Sequence, residues 1–169
     1  MAAATIRRGR GAQFVGVYIE GLSTFREAMK YAPDTIRKAV KQVDKRWSVR
    51  VAGLVRQAAE AVGGVAARQV NSIRGSALAT GIQLRAGGPG YPEFYGAEFG
   101  GGRFRPPQAK SNRRGRPGYT NQFRNFRPKP EVGYFVFPTL RTQVLPKIAD
   151  EYLADMAAAL AEAEASGGE

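Results

Sequence analysis

Apolar and polar residues alternate over 13–20 (QFVGVYIE), which sets Val15, Val17 and Ile19 on one face and predicts a half-buried strand. Gly21 ends that run. Leu22, Phe25 and Met29 then recur at near-helical spacing in a short helix that stops before Pro33. The longest periodic stretch follows. Ile36, Val40, Val43, Trp47, Val51, Leu54, Ala58 and Val62 are separated by steps of three or four, so 34–62 reads as an amphipathic helix of roughly eight turns. Pro33 suits a first helical position, Asp34 suits the first turn, and Gly63-Gly64 closes the helix. Trp47 lies on the apolar stripe and is expected to be buried.

Beyond this helix, 65–75 reads as a shorter helix and 77–84 as a strand leading into Gly87-Gly88-Pro89-Gly90. Residues 91–102 (YPEFYGAEFGGG) read as a brief aromatic turn or helical piece ending in three glycines. Val132–Phe137 (VGYFVF) reads as a strand running into Pro138. Leu145, Ile148, Tyr152, Met156, Leu160 and Ala163 then mark one face of a C-terminal helix with Pro146 in its first turn. These elements predict an α+β fold. A small antiparallel sheet from segments near 14–20, 77–85 and 132–137 should be packed by the long N-terminal-half helix and the C-terminal helix. Residues 1–12 are expected to be a flexible basic arm, 13–165 a single domain, and 166–169 a frayed tail.

A chain of 169 residues supports one such domain with its core and is too short for two substantial ones. The absence of Cys removes disulfides, thiol nucleophiles and Cys-based zinc sites; the absence of His removes imidazole bases and the commonest metal ligand. Gly87–Gly90 and Gly100–Gly102 have neither the Lys-Ser/Thr of a P-loop nor dinucleotide-fold spacing, and read as turn glycines. Glu93 and Glu98 flank an aromatic patch, where a capping or interface role is favoured over paired catalytic carboxylates. Asp150, Glu151 and Asp155 read as a solvated helix face rather than a cation site. No enzymatic activity, cofactor or metal is expected. The longest charge-free stretch, Gly75–Leu84, has ten residues, too few for a membrane helix, and the N-terminus does not read as a secretory signal.

Charge changes the picture more. The 26 Lys and Arg against 14 Asp and Glu give +12, which points to an anionic partner or acidic protein neighbours. Arg outnumbers Lys 19 to 7, an excess that a GC-rich genome also produces. The long helix carries Arg37, Lys38, Lys41, Lys45, Arg46, Arg50 and Arg56, a face that reads first as solvated. The extended loop 101–130 sums to +9: Arg103, Arg105, Lys110, Arg113, Arg114, Arg116, Arg124, Arg127 and Lys129, with no acid. Phe104, Tyr119, Phe123 and Phe126 are interleaved among them. Guanidinium for phosphate and rings for bases is one way of gripping a nucleic-acid strand; aromatic anchors against neighbouring subunits, with Arg pairing across the contact, is the other reading and is slightly favoured. Residues 140–169 hold two basic and six acidic side chains, so a basic loop and an acidic helix share one small chain.

The order of elements, with Ile19-Glu20-Gly21-Leu22 closing the first strand, Tyr95-Gly96-Ala97-Glu98-Phe99-Gly100 in the middle and Phe135-Val136-Phe137-Pro138-Thr139-Leu140 before the last helix, resembles a bacteriophage family. It is similar to the neck or tail-completion proteins (minor tail component, head-tail joining) of long-tailed phages. Glu98-Phe99-Gly100, preceded by Tyr95, matches one family motif, and Phe137-Pro138 matches loosely the Pro-Phe-Leu-x-Pro-Ala segment that follows it. Asn71–Ser76 occupies the place of a Thr-Gly-x-Leu-x-x-Ser segment without matching it, and the basic insertion is longer than the family's usual loop. The resemblance implies a non-catalytic virion protein made in the host cytoplasm and located in the neck, between head and tail. Its partners would be copies of itself in a ring, expected to be sixfold, then adjacent head-closure or connector and tail-terminator or tail-tube proteins, and the packaged double-stranded DNA, with no membrane. The alternative is a basic nucleic-acid-binding protein acting as a monomer or dimer.

Overall fold

The structure, a computed structural model, describes residues 4–8, 14–78, 81–88, 90–91, 93–100 and 132–166. Its elements in order are β1 (Ala4–Arg8), β2 (Phe14–Ile19), α1 (Leu22–Ala28), a 3₁₀ turn (Met29–Tyr31), α2 (Asp34–Val62), α3 (Gly64–Arg68) and a second 3₁₀ turn (Val70–Ser72). There follow β3 (Arg74–Leu78), β4 (Gly81–Arg85), α4 (Phe94–Phe99), α5 (Val136–Thr139), a π-helical turn (Leu140–Val144) and α6 (Leu145–Ser166). The four strands make one sheet in the order β1-β2-β4-β3, and every pairing is antiparallel. The fold is α+β.

Three segments differ from the sequence expectation. The basic arm contains β1, which pairs with β2 from Ala4–Ile19 to Arg8–Val15; five residues rich in Arg carry too little alternation to announce a strand. The segment near 77–85 is not one strand. β3 and β4 pair from Arg74–Arg85 to Leu78–Gly81, and in β4 Ile82 and Leu84 face the core while Arg85 is exposed. The third expected strand, Val132–Phe137, is absent: the chain enters a helix at Val136. Its run of apolar residues is dense because Phe135, Val136 and Phe137 are all buried, not because it joins the sheet. Pro138 sits in the first helical turn, where its missing N–H leaves no bond unmade.

α2 shows how burial follows what each turn meets. Val40, Val43, Trp47 and Val51 are buried as expected, but farther along Leu54 and Ala58 are half-buried and Val62 is exposed. Burial shifts there to Ala52, Val55 and Ala59. The first half of α2 meets α6, where the Trp47 indole N–H donates to Asp155 Oδ2 at 2.9 Å and the ring meets Tyr152 edge-on at 6.1 Å. The second half lies along β3. A Cβ at Gly75 would stand 2.0 Å from the Ser48 carbonyl oxygen, so only glycine lets strand and helix backbones approach this closely. Arg56 secures the next turn, its Nε and Nη2 donating to the Ile73 carbonyl at 3.0 and 2.6 Å.

The C-terminal stripe is as expected, with Ile148, Tyr152, Met156 and Ala163 buried. Helix continues from Val136 to Ser166 through the π-helical turn. Pro146 cannot donate to the carbonyl four residues back, and the wider turn directly before it accommodates the missing bond. Among the described residues no helix is long and apolar enough to cross a membrane.

Candidate functional site at the base of the basic segment

α4 is a two-turn helix that Gly100 ends with φ 78°, a value that favours glycine. Phe94 meets Phe135 edge-on at 5.7 Å, and Tyr95, Phe99 and Phe137 form a tilted ladder with centroid spacings of 6.0 and 5.8 Å. These ring contacts bring the two segments that carry the family resemblance side by side. Between them lies Glu98, 1% exposed.

The Glu98 carboxylate caps the C-terminal helix. Oε2 accepts the backbone N–H groups of Phe135 at 3.1 Å and Val136 at 2.9 Å, and Oε1 accepts that of Phe137 at 3.2 Å. These donors lie at a helix start, where N–H groups have no partner within the helix and the dipole favours negative charge. Burial pushes the Glu98 carboxyl above its ordinary range, and the backbone N–H groups of Val136, Phe137, Phe135 and Tyr134 oppose that rise without cancelling it. Gly133 completes the cradle. With φ +73° and an ideal Cβ 2.0 Å from Glu98 Oε1, any side chain there would displace the carboxylate.

Gly100 and Gly133 therefore flank one fixed point, and the segment 101–131 leaves and rejoins the described fold there. That segment holds Arg103, Arg105, Lys110, Arg113, Arg114, Arg116, Arg124, Arg127 and Lys129, with Phe104, Tyr119, Phe123 and Phe126. All of them lie outside the described residues. Of the motif residues, Glu98 is the cap, Phe99 and Phe137 stack, Gly100 turns the chain, Pro138 enters the helix and Tyr95 stands half-exposed at the end of the ladder.

The other acidic candidates have separate partners. Glu93 is exposed and stands 3.8 Å from Arg68. Glu151 pairs with Arg50 at 2.9 Å and Asp155 accepts from Trp47, while Asp150 is exposed. Among the described residues no group of three or more acidic side chains gathers as a metal site.

A buried polar cluster escaped the sequence reading. Asp44, 4% exposed, accepts from Arg26 Nη2 at 2.6 Å and from the Tyr152 hydroxyl, joining α1, α2 and α6. Burial and the adjacent Asp44 carboxylate push the Tyr152 hydroxyl well above its ordinary range. The available signal was an acid placed between Val43 and Trp47 on an otherwise apolar stripe. Tertiary contacts also sort the basic face of α2. Arg37 pairs with Asp34, Arg50 with Glu151 and over the Trp47 ring, and Arg56 with the Ile73 carbonyl.

Comparison with protein-family models, curated proteins and solved structures finds no match to this chain.

Proposed function

We propose that this chain is a structural, non-catalytic subunit of the head-tail neck of a tailed bacteriophage, working in a ring around the DNA channel between head and tail. The observation that carries the reading is the Glu98 cap. The Tyr95–Gly100 and Phe135–Leu140 segments, on which the resemblance to neck proteins rests, are separated by 34 residues (101–134), and one carboxylate joins them. The same contact roots the basic segment on the body of the fold. A rooted basic segment, together with a C-terminal helix of opposite charge, suits a subunit that meets different neighbours on different sides.

The test is location. Cryo-electron microscopy of purified particles, with the chain tracked by a peptide-specific antibody, should find it at the head-tail joint. Its presence only in the shell or at the tail tip, or its absence from particles, overturns the reading. A particle lacking 103–130 of this chain should join heads to tails less efficiently than wild type. Light scattering on the purified chain addresses the alternative: a monomer or dimer that gains no higher order with head or tail partners favours a free nucleic-acid-binding protein.

A further inference from the structure

Seven basic residues line α2, and the structure divides them. Arg37, Arg50 and Arg56 are occupied by partners within the fold. Among the described residues Lys38, Lys41, Lys45 and Arg46 are exposed and have no ion pair or hydrogen bond. The three lysines, three and four residues apart, lie along one side of the helix, whereas Arg46, next to Lys45, is turned about 100° away from that row. Asp34, the acid nearest in the same helix, is bonded by Arg37, and Asp44 is buried against Arg26. The stripe is thus a row of uncompensated ammonium groups on a rigid rod.

We infer that Lys38, Lys41 and Lys45 form a contact surface for the phosphate backbone of double-stranded DNA. The row spans about 10 Å of helix axis, and a duplex carries about six phosphates over that length. Protein–protein interfaces are depleted in Lys and enriched in aromatic residues. The exposed large apolar side chains on α2 are two valines, Val49 next to the row and Val62 at the far end of the helix, and neither is aromatic. Flexible ammonium groups holding no fixed partner suit a surface past which phosphates move without being read for sequence. This inference rests on the neck reading for the origin of the DNA. It also assigns a contact surface to the folded body rather than to the basic segment.

The experiment measures the anisotropy of a fluorescein-labelled duplex titrated with the full chain over a series of salt concentrations. Lys38→Gln/Lys41→Gln/Lys45→Gln should keep the wild-type circular dichroism, because none of the three side chains has a partner among the described residues. Its affinity at low salt should fall at least about tenfold, and its salt slope should shrink by nearly three contacts, about 0.9 for each. The charge-matched control Lys30→Gln/Arg68→Gln/Lys147→Gln, exposed and elsewhere, should change the slope by less than half as much. Equal losses in both triple variants, an unchanged slope in the stripe variant, or no duplex binding by wild type overturns the proposal. So does a stripe variant that loses binding to labelled polyglutamate while keeping the duplex, since that marks an acidic protein as the partner. The assay uses purified chain and duplex, so it can fail while the particle location holds, and the converse is equally observable.

Discussion

Replacing Glu98 by alanine removes the acceptor of three backbone N–H groups at 3.1, 2.9 and 3.2 Å and leaves them at a buried helix start. An orphaned buried donor costs about 1–3 kcal/mol, so three would cost upwards of about 3 kcal/mol if nothing replaced the carboxylate. Two effects reduce this. The space left by the side chain can admit water to some of the donors, and the expense of burying a charge disappears with the charge. The net loss should be about 2–4 kcal/mol, within the range of a buried hydrogen-bond network broken from one side. Urea unfolding followed by far-ultraviolet circular dichroism and by the fluorescence of the single tryptophan, Trp47, measures it. Trp47 reports the α2–α6 contact, which depends on α6 being held in place. Hydrogen exchange adds a local readout: the amides of Phe135, Val136 and Phe137 should exchange faster by more than the global loss explains. A loss below about 0.5 kcal/mol with unchanged exchange at these amides would mean that the helix start does not depend on the carboxylate.

The same residue carries a pH signature. Its folded pKa is raised above the ordinary 4.5, so the folded chain holds the Glu98 proton more tightly than the unfolded chain does. The stability this group contributes is fully present below about 4.5 and is lost as pH rises through the folded value. Wild type should therefore lose stability relative to Glu98→Gln from pH 4.5 upward, and an advantage of wild type that grows with pH would contradict the sign. Gly75→Ala should destabilise the fold by about 2–4 kcal/mol in urea unfolding, because the new methyl would meet the Ser48 carbonyl at 2.0 Å and both sides of the contact are backbone; a wild-type midpoint would show that β3 can move off α2 at no cost.

The sequence alone determined what local periodicity can encode. The strand at Val15–Ile19, the helix beginning after Pro33 and the buried side of the C-terminal helix follow from spacings of two and of three to four, because a side chain's direction is set by its own backbone. Trp47 was legible as core for the same reason. Charge bounds and the absence of Cys and His also need no structure. Periodicity lost its meaning where tertiary contact replaced local pattern. VGYFVF satisfies strand propensity, yet Glu98, from a helix 37 residues before Phe135, takes its amide hydrogens and starts a helix. β1 is too short and too basic to stand out, and it exists as a strand through its pairing with β2. A like set of seven basic residues became two sets because Asp34, Glu151 and the Ile73 carbonyl reach only three of them. Asp44 is the centre of a buried cluster because α1 and α6 bring Arg26 and the Tyr152 hydroxyl to it, and neither contact is local in the sequence. Sequence fixes which side of an element is apolar; which polar groups are consumed inside the fold, and which remain for a partner, depends on what the rest of the chain brings against them.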